Sequence, residues 1–155
     1  EARIAEKEQA IKDTEAQMAA PGFYDDRVAS KTVVDRHQAL MWDVRDLMEV
    51  LPAGSVSKAF LNYPDPWPKR RHHRRRFVTP GHLQPLARVL RPGAEFRVAT
   101  DIPDYVRQAL EEVPAAGFAL VAEGGEPGED WLSTRYEQKA LREGRVPHYL
   151  TFRRL

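Results

Sequence analysis

The residues best suited to chemistry lie in the short segment PDPWPK, Pro64 to Lys69. Its three prolines each fix a backbone φ angle and so stiffen the segment. Asp65 supplies a carboxylate, and Trp67 supplies a flat indole two residues later. A carboxylate can accept hydrogen bonds from the N–H groups of a base edge, and an indole can lie against the ring. The segment therefore predicts a binding site for a flat heterocycle around Asp65.

A cationic tract follows directly, with the sequence KRRHHRRR over residues 69–76. Such a run is usually only a solvated surface, but this one adjoins the candidate base site and lies between Trp67 and Phe77. The negative phosphate groups of a nucleic acid would complement this charge. We therefore predict phosphate binding by the tract. Its candidate phosphate ligands are Arg70, Arg71, His72, His73, Arg74, Arg75 and Arg76.

Other polar residues give weaker signals. Asp101 directly follows a predicted strand and fits a turn or helix-cap aspartate as well as a site residue. The segment TRYEQK, Thr134 to Lys139, is rich in hydrogen-bonding side chains but by itself also fits an ordinary helix start. The chain has no cysteine, and its five histidines do not show the spacing of metal ligands. We predict no metal site and no hydrolase triad.

The elements that must position these residues alternate along the chain from Val56 onward. Alternating strands and helices of this length favour an α/β fold with a mainly parallel sheet. In such sheets, binding groups gather beyond the carboxyl ends of the strands, where Asp65 and Asp101 both lie. The predicted strands are 56–63, 95–100, 118–122 and 149–153, with helices starting near Pro80 and Pro103.

The charge is distributed unevenly over the 155 residues. Residues 51–100 carry ten basic and two acidic side chains, whereas the whole chain has a net charge of only +1. One cationic face between two acidic flanks is typical of a protein that meets a polyanion. No apolar run reaches the roughly 18 residues that a membrane span needs, and no signal peptide opens the chain. We expect a cytoplasmic protein without a membrane partner.

Residues 1–42 predict an antiparallel helical hairpin. Ile4, Ile11 and Met18 repeat every seven residues before Pro21-Gly22 ends the first helix. The second helix has an apolar seam of the coiled-coil type, which offers a surface for a helical partner or for self-association. This stretch resembles the C-terminal coiled-coil hairpin of the F subfamily of ABC ATPases, without that family's ATPase motifs. The seam consists of Val33, His37, Leu40, Val44, Leu47 and Leu51.

Three segments together, FLNYPDPWPKRRHHRRRF, RVLRPGAEFRVATD and TRYEQKALREGR, resemble the tRNA (guanine-N7)-methyltransferase family in order and spacing. The resemblance covers about residues 43–155 and implies the C-terminal half of a class I methyltransferase domain with a Rossmann-like sheet. It implies S-adenosylmethionine as the methyl donor and tRNA as the partner. N7 of guanine is already a nucleophile, so alignment rather than a strong base would supply most of the catalysis.

The same resemblance implies roles for particular residues. Asp65 falls on the active-site aspartate, where it would orient the base or the donor. Asp43 falls on an aspartate that contacts the donor, and the basic run would face tRNA. The substrate-contacting positions fall on Lys69, Asp101, Thr134, Arg135, Tyr136 and Glu137.

The chain also departs from this family. The E-x-G-x-G loop that holds the methionine part of the donor has no counterpart, and the helical hairpin stands in its place. The predicted strand 56–63 would then have an unpaired outer edge, which favours pairing with another chain or self-association. Three hypotheses remain open: a truncated tRNA (guanine-N7)-methyltransferase, a non-catalytic RNA-binding fragment that lacks the donor-binding loop, or a helical interaction module in which the hairpin binds a partner and the remainder is vestigial.

Overall fold

The computed structural model describes residues 2–23, 25–40, 44–128 and 131–155. The chain forms two compact units, Glu1–Val50 and Leu51–Leu155. Within the described residues, no helix is both long enough and apolar enough to cross a membrane. The two compact units divide between residues 50 and 51. The predicted domain boundary between residues 42 and 43 stays a prediction.

The first unit is helical, with α1 at Ala2–Met18, α2 at Arg27–Leu40 and α3 at Val44–Val50. Helices α1 and α2 pack against each other across a turn in which Gly22 has a φ of +76°. The Asp26 carboxylate accepts hydrogen bonds from the N–H groups of Val28 and Ala29 at 2.9 and 3.0 Å. This cap satisfies two backbone donors at the start of α2. The two helices and their turn agree with the sequence prediction.

The continuation of the predicted seam into α3 differs from expectation. Leu47 is half exposed, whereas Met48 and Asp46 are buried. The Lys7 ammonium forms an ion pair with the Asp46 carboxylate, which allows that charge to lie inside the unit. The burial of Asp46 and Met48 in α3 therefore departs from the predicted 4-3-4 spacing.

The second unit contains a four-stranded sheet with strands β1 at Val56–Asn62, β2 at Leu90–Thr100, β3 at Phe118–Gly124 and β4 at His148–Arg154. The strand order is β1-β2-β4-β3. Strands β1 and β2 pair in parallel, and β4 is antiparallel to both β2 and β3. Strands β1, β2 and β3 share one direction, whereas β4 runs the other way between β2 and β3. Two of the three pairings are therefore antiparallel, and the predicted mainly parallel sheet is corrected to a mixed sheet. The predicted α/β class is confirmed.

Helices α4, Pro80–Val89, and α5, Pro103–Ala115, connect the three strands of common direction, and α6, Arg135–Arg142, precedes β4. Alternate residues of β2 and β4, such as Phe96 and Phe152, are buried with the apolar stripes of α4 and α5. Full burial of each such side chain contributes roughly 1.5–3 kcal/mol. This core includes Leu83, Leu86, Phe96, Val98, Ala109, Val113, Leu150 and Phe152.

The strand register determines which residues meet at one edge. Asn62 of β1 pairs with Ala99 of β2, which pairs with Tyr149 of β4. Tyr149 in turn pairs with Gly124, the last residue of β3. The segments after β1 and β2 and the segment before β4 therefore meet at one end of the sheet, beyond the carboxyl ends of β1 and β2. The candidate site residues lie at this end.

Candidate active site

The loop after β1 carries Asp65 and has an unusual backbone. Tyr63 and Trp67 have φ angles of +48° and +39°, and each stands directly before a proline. The Tyr63 N–H donates a 2.7 Å hydrogen bond to the carbonyl of Ala99, which ties the loop to the end of β2. The Asp65 side chain is exposed and forms no hydrogen bond or ion pair with any described residue. Its carboxylate is therefore available to a ligand.

Arg76 holds this loop from the inside. Its side chain is fully buried, and its Nε donates a 3.0 Å hydrogen bond to the carbonyl of Pro66. Its Nη1 donates to the Asp104 carboxylate and to the Gln108 amide oxygen, both at 2.9 Å. The guanidinium carbon also lies 5.1 Å from the centre of the Tyr105 ring. The prediction that Arg76 binds RNA is therefore corrected: its donors are used within the protein.

The rest of the cationic tract is exposed except for its two histidines, which are half-buried. The His73 Nε2 atom is buried and lies 3.2 Å from the Asp104 carboxylate, so this predicted RNA ligand faces the protein instead. Residues Arg70–Arg75 form a 3₁₀ helix. The guanidinium carbon of Arg75 lies 5.0 Å from the centre of the Trp67 ring, and the His72 ring meets the same indole edge-on at 5.9 Å. Lys69 is exposed and has no side-chain partner among the described residues. Four arginines, Arg70, Arg71, Arg74 and Arg75, are exposed next to the Asp65 loop.

Glu137 lies at the centre of an aromatic cluster. Its backbone N–H donates to the Thr134 hydroxyl at 3.2 Å, so that Thr134 caps α6. The buried Glu137 carboxylate accepts hydrogen bonds from the Trp131 indole at 3.0 Å and from the Tyr149 hydroxyl. The Trp131 ring lies 5.1 Å from Tyr149 and 6.4 Å from Phe60. Glu137 thus orients the aromatic side chains rather than presenting a charge to solvent.

The protonation states in this cluster follow from its contacts. Burial opposes ionisation of Glu137, but hydrogen bonds from Ser133, Tyr149 and Trp131 outweigh it and hold its pKa below the usual value. Burial raises the pKa of Tyr63 to about 12, and burial together with the Glu137 carboxylate raises the pKa of Tyr149 further. At neutral pH the cluster therefore contains one carboxylate among neutral phenols. Beside it lies a cavity of about 170 Å³, lined by Phe60, Asn62, Trp131 and Leu132.

Asp101 lies at the same edge but already has a partner. Its nearly buried carboxylate forms an ion pair with Arg145, which also contacts Glu143 at 2.7 Å. Of the other predicted site residues, Arg135 and Tyr136 are exposed. Asp43, the predicted donor contact, lies outside the described residues.

Sequence reasoning missed three residues of this site: Trp131, Tyr149 and Arg145. Arg145 ends the segment TRYEQKALREGR, but no local spacing connects it with Asp101. Trp131 and Tyr149 meet only because β4 enters the sheet between β2 and β3. The signal that would have found them is the presence of unassigned aromatic residues near the predicted strand ends.

Residues 31–150 match the model of a methyltransferase family. The chain belongs to this methyltransferase family. It is 84% identical over 112 residues to a tRNA (guanine-N(7)-)-methyltransferase of Cereibacter sphaeroides, in a match that covers 72% of this chain and 46% of that relative. It is 82% identical over 112 residues to the enzyme of the same name from Paracoccus denitrificans, with coverages of 72% and 48%. The resemblance of residues 43–155 to this family is confirmed.

The chain spans about half the length of the curated relatives it matches. A solved structure supports the fold assignment. The chain matches a protein from Thermus thermophilus, described as a DNA modification methylase, with a TM-score of 0.50 and 16% sequence identity. The match covers 72% of this chain and 50% of that one. The sheet and its helices therefore form part of a methyltransferase fold.

Replacing Glu137 with glutamine is expected to lower the free energy of unfolding at pH 7 by about 2 kcal/mol. The buried cluster loses the carboxylate charge and one of its two acceptor oxygens, and the amide NH2 that replaces this oxygen faces other donors. The folded-state pKa of Glu137 lies below its unfolded value, so the carboxylate stabilises the fold above the unfolded pKa. This stabilisation is lost as the pH falls through the folded-state pKa. Urea unfolding at pH 7 and near pH 3 should show a mutant difference that shrinks in acid.

The matched control is Glu143→Gln, because Glu143 is an exposed carboxylate at the end of the same helix. That substitution should change the free energy of unfolding by less than about 0.5 kcal/mol at either pH. A Glu137→Gln difference that is equal at both pH values would contradict an ionised, stabilising Glu137.

Proposed function

We propose that this polypeptide acts in the transfer of a methyl group from S-adenosylmethionine to N7 of a guanine in tRNA, in the cytoplasm. The observation that carries the proposal is the uncommitted Asp65 carboxylate at the carboxyl edge of the sheet, beside exposed cations. The sequence also supports the proposal, because the chain is 84% identical over 112 residues to a tRNA (guanine-N(7)-)-methyltransferase.

The reaction needs alignment more than proton transfer. The N7 lone pair of guanine forms a bond to the methyl carbon as the carbon–sulfur bond breaks, and the bonding pair remains on sulfur. The donor supplies an electrophilic sulfonium methyl group. Asp65 would orient the base or the donor, and Lys69 would hold the substrate backbone. Correct placement of two reactants can lower the barrier by roughly 7–11 kcal/mol.

The remaining predicted residues have different proposed roles. Glu137 already accepts hydrogen bonds from Trp131 and Tyr149, so its proposed role is to shape the aromatic wall that faces the base. Thr134 caps the helix that carries Glu137. Asp101, paired with Arg145, would contribute to guanine recognition from the end of β2. Arg135 and Tyr136 are exposed and would contact the substrate from outside the cluster.

Donor binding requires more than the described residues offer. Asp65 fits a position near the positively charged donor, but the chain contains no E-x-G-x-G loop. We propose that a segment equivalent to the other half of the relatives completes the donor site by pairing with β1. Strand β1 lies at one edge of the sheet, and Phe60 on it is 48% exposed. Among the described residues, β1 has no strand partner on its outer side, and such an edge can accept an additional strand.

The test is transfer of labelled methyl groups to unmodified tRNA by the full 155-residue chain, alone and mixed with the N-terminal half of the Cereibacter sphaeroides relative. Activity in the mixture at least about a hundredfold above that of either part would support the proposal. The absence of the glycine loop favours a second candidate, a non-catalytic RNA-binding protein. Tight tRNA binding without donor binding or transfer in the mixture would favour that candidate. No tRNA binding at all would overturn both.

A further inference from the structure

A second cavity lies beside the Asp65 loop, between the 3₁₀ helix and the start of α5. Its volume is about 470 Å³, within the range of ligand-binding clefts. Pro68 and Ile102 provide its apolar walls. Its charged and titratable lining consists of Arg70, His73, Arg76, Asp104 and Arg107.

The charges in this cavity do not balance. The Asp104 carboxylate accepts from Arg76 at 2.9 Å, contacts Arg107 and lies 3.2 Å from His73 Nε2. Hydrogen bonds from Arg107 and Arg76 hold the pKa of Asp104 below its usual value, so the carboxylate stays ionised. The cavity lining thus contains one carboxylate and three guanidinium groups, and Glu111 acts on Arg107 from outside this lining. The cavity therefore has an excess positive charge that suits a doubly or singly charged anion.

The arginines around the cavity differ in how many of their N–H donors already have acceptors within the protein. Arg76 is fully buried and bonded to Asp104, Gln108 and the Asp65 loop. The Arg107 side chain is 73% exposed and uses one terminal nitrogen on Asp104. A guanidinium has five N–H donors, so Arg107 keeps donors for a second acceptor. Arg70 is exposed and has no side-chain partner among the described residues.

We propose that this cavity binds one phosphate group of the RNA backbone, with Arg70 and Arg107 as its direct ligands. The inference rests on the proposed function and adds Arg107, which lies outside the cationic tract. Arginine matches phosphate geometry well because it can donate two parallel hydrogen bonds. Arg76 lines the cavity and also bonds to Pro66 and Trp67, so the bound phosphate lies next to the loop that carries Asp65. The phosphate therefore belongs to a nucleotide close to the target guanine.

The test compares Arg107→Gln with Arg91→Gln in the full chain by measuring tRNA affinity over a range of salt concentrations. Arg91 is an exposed arginine near the other end of β2, away from the cavity. Arg107→Gln is expected to reduce the slope of log affinity against log salt by about one and to weaken binding several-fold at low salt. Arg91→Gln should leave the slope unchanged. Equal effects of the two substitutions would overturn the proposal.

Two further experiments distinguish free phosphate from RNA phosphate as the ligand, and failure of the cavity proposal from failure of the proposed function. Inorganic phosphate is titrated while the Nε–H signals of Arg70 and Arg107 are followed by nuclear magnetic resonance. Saturable shifts in the wild type, together with an unchanged tRNA slope in Arg107→Gln, would show a site for free phosphate and overturn the RNA assignment. The triple variant of Arg71, Arg74 and Arg75 to alanine should flatten the slope by about two to three. If this variant has its effect but Arg107→Gln does not, tRNA binding stands and the cavity proposal fails.

Discussion

Replacing Asp65 with alanine is expected to reduce methyl transfer at least about a hundredfold while changing tRNA affinity by less than about twofold. Asp65 is exposed and forms no hydrogen bond or ion pair with any described residue, so its removal disturbs little of the fold. Phosphate contacts supply most of the binding free energy to RNA, whereas misplacement of the reacting groups can lower the rate by about two orders of magnitude. Labelled methyl transfer in the two-part mixture measures the first effect, and filter binding of tRNA measures the second.

Two variants sharpen this experiment. Asp65→Asn keeps the shape of the side chain and removes its charge, so it tests whether the negative charge itself is required. Glu15→Ala removes an exposed carboxylate from α1 and should leave transfer unchanged. Full activity of Asp65→Ala in the mixture would remove Asp65 from the mechanism.

Replacing Arg76 with methionine is expected to lower the free energy of unfolding by about 3–4 kcal/mol. The substitution preserves most of the buried volume but leaves the carbonyl of Pro66 and the side chains of Asp104 and Gln108 without their common donor. Removing one partner from a buried charged network costs roughly 3–5 kcal/mol. Urea unfolding followed by circular dichroism measures the change.

The neighbouring Arg75 provides a matched control for this substitution. Arg75 is exposed and lies over the Trp67 ring, so Arg75→Met should cost only about 0.5–1 kcal/mol. Arg76→Lys should fall between the two, because a lysine keeps the charge but cannot reach all of the acceptors at once. Equal stability of Arg76→Met and Arg75→Met would show that Arg76 does not support the loop.

The sequence predicted the elements of the second unit well because their signals are local. Pro80 and Pro103 mark the starts of α4 and α5, and alternating apolar residues mark β2 and β4. The antiparallel placement of β4 between β2 and β3 was not predictable in this way. A strand has the same alternation in either direction, and its neighbours are chosen by long-range packing.

The site was only partly predictable for a similar reason. The segment PDPWPK identifies the Asp65 loop because proline and aspartate both favour turns through local backbone effects. The cationic tract gave no sign that Arg76 differs from Arg75, since adjacent arginines are equivalent in composition. Their difference arises from α5, which brings Asp104 and Gln108 to one of them. Burial of a charge thus depends on partners that lie far away along the chain.

The backbone of the Asp65 loop has a consequence for how such a protein responds to selection. Tyr63 and Trp67 adopt left-handed conformations, each about 1–2 kcal/mol less favourable than the right-handed region for a residue with a Cβ atom. Pro64, Pro66 and Pro68 also restrict the backbone of this loop. The loop therefore has little conformational freedom left to lose when a ligand binds. Glycine at position 67 would relax the backbone but would also loosen the loop and remove the indole. A screen for heat resistance would therefore favour variants whose ligand affinity is poorer, and a screen for affinity would retain the strained loop.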